Sequence, residues 1–137
     1  MPTVVGMTTS AFDPASRVRF IQFIPHLRRA GWTVRHLPNR PDRQWRSALP
    51  GRVPRGLHYR AGRALMKVNR WRDIRSCASA DVVFVNRDLA GRGSFFQKQL
   101  IRVNPRVVFD FDDAIYLGNA APVEWMCRHA ALVTTGN

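Results

Sequence analysis

The run Val82-Val83-Phe84-Val85 is apolar on both of its alternating faces. A strand of that kind needs cover above and below, which is the situation of an interior strand in a parallel sheet. Val107-Val108-Phe109-Asp110-Phe111 repeats the pattern, and Thr3–Met7, Trp32–Leu37 and Ala131–Thr134 read as three more short strands. The intervening segments change to helical spacing. After Asp13-Pro14-Ala15, with Ser16 as the expected N-cap, Val18, Phe20, Ile21, Ile24 and Leu27 share one face until Ala30-Gly31. Pro25 removes a backbone donor there and predicts a kink. Leu57–Ala78 predicts a long helix, with Arg60, Arg63, Lys67 and Arg70 as a basic stripe beside its apolar face. Gly93–Val103 and Val123–His129 are two further helical segments. Strands alternating with helices predict an α/β fold: a Rossmann-like parallel sheet with helices on both faces. Residues 1–137 form one domain in this reading. A flexible basic loop is expected over 38–56, where Pro38, Pro41, Pro50 and Pro54 oppose any long regular element.

Charge narrows the partners. Lys and Arg total 22 against 9 Asp and Glu, a net charge of +13, and only Lys67 and Lys98 are lysines. Such an excess favours phosphates, nucleic acid or an anionic lipid surface. It is concentrated between Arg35 and Arg75, where twelve basic residues face only Asp42 and Asp73, and Trp45 and Trp71 lie among the arginines. A peripheral contact with an anionic membrane, or a solvated helix face with Trp71 in the core, is preferred to nucleic-acid binding, because no nucleic-acid motif is present. The longest unbroken apolar run is four residues, too short to span a bilayer. Met1–Phe12 lacks the basic start and apolar stretch of a secretory signal. Two cysteines, Cys77 and Cys127, do not make a disulfide scaffold, so a cytoplasmic location is expected, with peripheral placement at the inner membrane face as its extension. Cys127 and His129 would sit on nearly opposite sides of a helix, and no metal or cofactor is expected.

In open parallel sheets, ligands bind outside the carboxyl ends of the strands. The polar residues at those ends are therefore the candidate site. Ser16, Arg17 and Arg19 stand at the start of the first helix, where free amide groups and two guanidinium groups suit an anion. Asn86 and Arg87 follow the third strand, and Gly136 and Asn137 follow the fifth. Asp110, Asp112 and Asp113 put three carboxylates within four residues, which repel one another unless a cation, a base or a proton is shared. One of the three is expected to serve as a helix cap. No GxGxxG or P-loop pattern occurs, which argues against dinucleotide binding and P-loop chemistry.

Ser16–Val34 resembles the first helix and second strand of GT-B glycosyltransferases of the family 4 (group 1) type. Ala80–Arg87 resembles their third strand, Val107–Tyr116 is similar to an Asp-x-Asp-Asp-Ala segment of one branch, and Ala131–Asn137 resembles the strand before their next helix. The resemblance covers most of the chain outside 38–56. It implies the amino-terminal, acceptor-side half of a GT-B fold, without the carboxyl-terminal domain that holds the nucleotide sugar, and hence a fragment inactive by itself. It further implies a nucleotide-sugar donor and a sugar or lipid-linked acceptor. Asp112 and Asp113 would orient or deprotonate the acceptor hydroxyl. Ser16, Arg17, Arg19, Asn86, Arg87, Asp110, Gly136 and Asn137 would contact phosphate or acceptor. Thr8-Thr9-Ser10 replaces the Gly-Gly pair that many relatives carry after the first strand. Two alternatives stand beside this reading. One is a non-enzymatic Rossmann-like module that binds a phosphorylated ligand, nucleic acid or an anionic membrane. The other is a haloacid-dehalogenase-type phosphatase fragment, whose first motif Asp110-Phe111-Asp112 resembles, with Asp110 as nucleophile. Against the latter, Ala114 stands where that motif has Thr or Val, and only 24 residues follow Asp113.

Overall fold

The computed structural model describes residues 1–137 except 41–54, 88, 90–92, 113 and 137. Its strands are β1 (Thr3–Ser10), β2 (Thr33–Arg40), β3 (Val82–Asn86), β4 (Val107–Phe111) and β5 (Leu132–Thr135). They form one sheet in the order β2-β1-β3-β4-β5, with every neighbouring pair parallel. The helices are α1 (Pro14–Arg19), α2 (Ile24–Arg29), α3 (Arg55–Ser76), α4 (Phe95–Val103) and α5 (Ala120–His129). The chain leaves β1 toward β2, then crosses back to β3 and continues outward. The direction reverses between β1 and β3, and that reversal opens a crevice at the carboxyl edge. The fold is the Rossmann-like α/β architecture expected from the alternation of strands and helices.

Alternation along the strands separates two layers. Val5, Met7, Val83, Val85, Val107 and Phe109 face one way and pack with Ile74 and Cys77 of the α3 end, Phe96 and Leu100 of α4, and Val123 and Met126 of α5. Burying each of the larger side chains contributes about 1.5–3 kcal/mol. Gly6 and Phe84 face the other way, where Phe20 lies flat on Phe84 with ring centroids 5.2 Å apart. A Cβ at Gly6 would come within 2.0 Å of the Phe20 ring, so glycine is what lets that ring reach the sheet. The α1–α2 layer rests on β1, β2 and β3. Leu132, on the same face of β5, stays 55% exposed.

The elements depart from expectation in four places. Asp13, not Ser16, is the N-cap of α1; its carboxylate accepts from the Ser16 amide. The predicted single helix is broken at Phe20 and continues through a 3-10 turn, Ile21–Phe23, into α2. Burial of the Phe20 ring sets that break, and Pro25 falls in the first turn of α2, where its missing N–H leaves nothing unpaired. Strand β2 runs on through Pro38 to Arg40, because β2 is at the sheet edge and an edge tolerates proline. Arg55 and Gly56 already belong to α3, so both ends of the basic loop expected over 38–56 are regular structure, and its remaining residues, 41–54, lie outside the described residues. Among the described residues no helix is long and apolar enough to cross a membrane.

Candidate functional site

Strand register builds the centre of the site. Asn86 of β3 pairs with Asp110 of β4, and Asp110 with Thr134 of β5, so three polar side chains stand in one row across the sheet. All three alternate onto the α1 side, as Arg19 does. Asp110 is 2% exposed, and its carboxylate takes four donors. Arg19 Nε (3.0 Å) and Asn86 Nδ2 (3.0 Å) donate to Oδ2, while Arg19 Nη2 (2.5 Å) and Thr134 Oγ1 (2.7 Å) donate to Oδ1. A carboxylate offers about four lone-pair positions, and here each is occupied. The bond to Asp110 holds the Arg19 guanidinium above its ordinary pKa. Asn86 Oδ1 is buried with no partner among the described residues.

A second pair lies at the rim. Arg87 adopts a left-handed backbone, φ 65°, which few non-glycine residues accept. Its amide donates to the Asp110 carbonyl at 2.8 Å, so the turn is anchored to β4. Its side chain then reaches Asp112, with Nε 3.0 Å from Oδ1, and each side chain remains about one-quarter exposed. Gly136 packs closely on Asp112: its amide donates to the Phe111 carbonyl, and a Cβ there would fall 2.7 Å from Asp112 Cβ and 3.4 Å from an Arg19 nitrogen. Beside Arg87 is an open cleft of about 320 Å³, lined also by Ile115, Gly118, Asn119, Pro122 and Val123. The cleft thus has an apolar floor and one guanidinium on its wall; Asp112 is not among the lining residues but reaches that guanidinium at 3.0 Å from the rim, with its side chain partly open to solvent.

The candidate residues therefore divide into groups. Arg19, Asn86, Arg87, Asp110, Asp112 and Gly136 are brought together. Within that set Asp110 has its acceptor positions filled by Arg19, Asn86 and Thr134, which suits it to bracing, whereas Arg19 commits two of its five N–H donors to Asp110 and keeps about one-quarter of its side chain exposed. The same saturation leaves Asp110 no free lone pair for the phosphatase-type nucleophilic attack. Ser16 is fully buried, and both its amide and its hydroxyl donate to Asp13. The anion expected at the start of α1 is thus supplied internally by Asp13. Arg17 lines a separate shallow groove with Pro14, Val18, Ile21 and Gln22. Asp113 and Asn137 lie outside the described residues.

Two groups escaped the sequence reading. Arg70, expected in a solvated stripe, is fully buried. Its guanidinium donates to the carbonyls of Leu89 (2.9 Å), Thr8 (3.1 Å) and Leu37 (3.2 Å) and lies 3.7 Å from Asp73. Its spacing to Ile74 and Cys77, four and seven residues on, put it on the buried face, and that was the available signal. Thr8 in turn shares a 2.8 Å hydrogen bond between its hydroxyl and His36 Nε2. Burial, with Arg70 nearby, holds the His36 pKa below 6.5. Burial pushes the Cys77 thiol up to about 11, and the thiol donates to the Asp73 carbonyl, so it serves packing and not nucleophilic chemistry. Among the described residues no cluster of three His, Cys, Asp or Glu side chains could hold a metal ion.

In comparison with known proteins, no family model matches the chain, and no curated protein matches it.

Proposed function

We propose that this chain is the acceptor-side half of a GT-B-type glycosyltransferase that acts at the cytoplasmic side of the cell. The observation that carries the proposal is the Arg87–Asp112 pair beside an open, apolar-floored cleft at the carboxyl edge of an all-parallel sheet. The four-part resemblance in the sequence supports it. In this reading a second lobe brings the nucleotide sugar to the carboxyl edge. The acceptor lies in the cleft with its sugar or lipid body against Ile115, Pro122 and Val123. Asp112 accepts the proton of the attacking hydroxyl as the bond to the anomeric carbon forms and the nucleoside diphosphate leaves. Arg87 positions Asp112 and offsets negative charge that builds on the leaving group. Arg19, Asp110, Asn86 and Thr134 form the rigid row beneath.

The test is sugar transfer from labelled nucleotide sugars by the chain produced with the reading frame that follows it in its genome. Asp112→Asn is expected to lower turnover about 100-fold. It should leave stability within about 1 kcal/mol, because the pair it breaks is partly solvated. Unchanged turnover removes Asp112 from the mechanism. Failure to transfer any sugar, with phosphorylated ligands still bound by the chain alone, favours the binding-module reading, for which the Arg87 wall of the cleft is the specific support.

A further inference from the structure

The outer surface of α3 and α4 is strongly one-signed. Among the described side chains of α3 the exposed charged ones are Arg60, Arg63, Lys67, Arg72 and Arg75. On α4 they are Lys98 and Arg102. The only acidic residue in either helix is Asp73, which is half-buried against Arg70. Large apolar side chains stand exposed among these cations: Leu65 at 48%, Val68 at 50% and Phe95 at 57%. Spacing puts them together. Ala61, Ala64, Leu65 and Val68 fall at i, i+3, i+4 and i+7 on the outward side of α3, away from the buried Gly62, Arg70 and Ile74. Trp71 carries the strip across to α4 by stacking on Phe95 with centroids 5.9 Å apart, and Arg75 lies over the Trp71 ring. The two helices pack side by side on one face of the sheet, so the strip and its cationic border form one surface.

We infer that the α3–α4 face docks on an anionic lipid bilayer, with Leu65, Val68 and Phe95 entering the boundary between headgroups and acyl chains and the surrounding arginines and lysines meeting the lipid phosphates. Charge complementarity selects an anionic partner. The exposed aliphatic and phenyl groups within the cationic border select a bilayer over a nucleic acid, which would cover the cations and leave Leu65 and Val68 unmatched. Long basic side chains bury their stems along the apolar strip while their charged ends stay at headgroup level. The inference rests on α3 and α4 alone and is independent of the transferase proposal, whose residues lie at the carboxyl edge of the sheet.

The experiment is flotation of the purified chain with vesicles of phosphatidylcholine alone and of phosphatidylcholine mixed with phosphatidylglycerol. The expected result is recovery with the anionic vesicles at least about tenfold above that with the neutral ones, falling as salt is raised. Two variants complete the test, each checked for an unchanged circular dichroism spectrum. Lys67→Gln with Lys98→Gln and Arg102→Gln should lose anionic selectivity. Leu65→Ser with Phe95→Ser should lose recovery about tenfold with the charge intact. Equal recovery with both vesicle types overturns the proposal. So does full recovery of the Leu65→Ser, Phe95→Ser variant, which would mark the surface as a plain cationic patch. Binding of single-stranded RNA that is unaffected by that same variant and displaces the vesicles would assign the face to nucleic acid instead.

Discussion

Arg19 and Asp110 meet through two parallel hydrogen bonds, although 91 residues separate them in the chain, and the contact joins α1 to β4 over the top of β3. The two partners are not equivalent. Asp110 is almost wholly buried, whereas about one-quarter of the Arg19 side chain remains in contact with solvent. Arg19→Met leaves a buried carboxylate with Asn86 and Thr134 as its remaining donors among the described residues, and is expected to cost about 3 kcal/mol. Asp110→Asn releases Arg19 toward water and should cost about 1–2 kcal/mol. Urea unfolding measures both. A larger loss for Asp110→Asn would show that the cation, not the carboxylate, is the group that cannot be left alone.

Arg70 satisfies three carbonyls from three segments, which end near one another at the carboxyl edge. Arg70→Met should lower stability by about 3 kcal/mol, because the three carbonyls lose a buried donor and the partly exposed Asp73 loses its ion partner. Arg70→Lys should recover little, since an ammonium group does not reproduce the fork of a guanidinium. Thermal unfolding of the two variants checks the pair. Recovery to the parental midpoint by lysine would mean that charge alone suffices.

Gly6→Ala places a methyl group inside the Phe20 ring. The ring cannot retreat while it lies on Phe84, so a loss of about 3 kcal/mol is expected, at the upper end for overpacking. Phe20→Leu in the same chain should restore part of that loss and give a favourable coupling in a double-mutant cycle. Simple additivity of the two losses would show that Phe20 is not what excludes a side chain at position 6.

His36 predicts a pH dependence. Its folded pKa lies below the ordinary 6.5, through burial first and the nearby Arg70 second. The unfolded chain therefore takes up the proton at higher pH than the folded chain. Stability should fall as pH drops from about 6.5 toward the lowered folded value, and level off beneath it. His36→Gln should remove that slope. Asp73 acts in a different window and in the opposite sense. Burial raises its carboxyl above 3.8, so its contribution declines as pH rises from there through its folded value. A Tm difference between the parent and His36→Gln that stays constant between about pH 5 and pH 8 would contradict the assignment.

The fold class could be read from the chain because the information is local. Val82–Val85 and Val107–Phe111 declare interior strands within five residues or fewer, and the change to helical spacing on either side declares the crossovers. Local reading failed where a distant contact overrode it. The Phe20 ring, drawn onto Gly6 and Phe84, broke a helix that spacing alone continued, and the sheet edge accepted Pro38 as strand.

The site was legible as a set of positions and illegible as a set of roles. Residues at strand ends follow from the pattern of strands, so Asn86, Arg87, Asp110 and Asp112 could be named from sequence. Which of them faces a ligand depends on register and on strand order. Asn86, Asp110 and Thr134 are each 24 residues from the next, and only the pairing of β3, β4 and β5 sets them in one row. That row is what turns Asp110 from a candidate ligand contact into a saturated brace and leaves Asp112 at the rim. The same holds for Arg70, whose helix phase is in the sequence but whose carbonyl partners come from three segments that meet only in the folded chain. Periodicity is a property of neighbours along the backbone, whereas a hydrogen-bond partner is decided by whatever the packed layers bring within 3 Å.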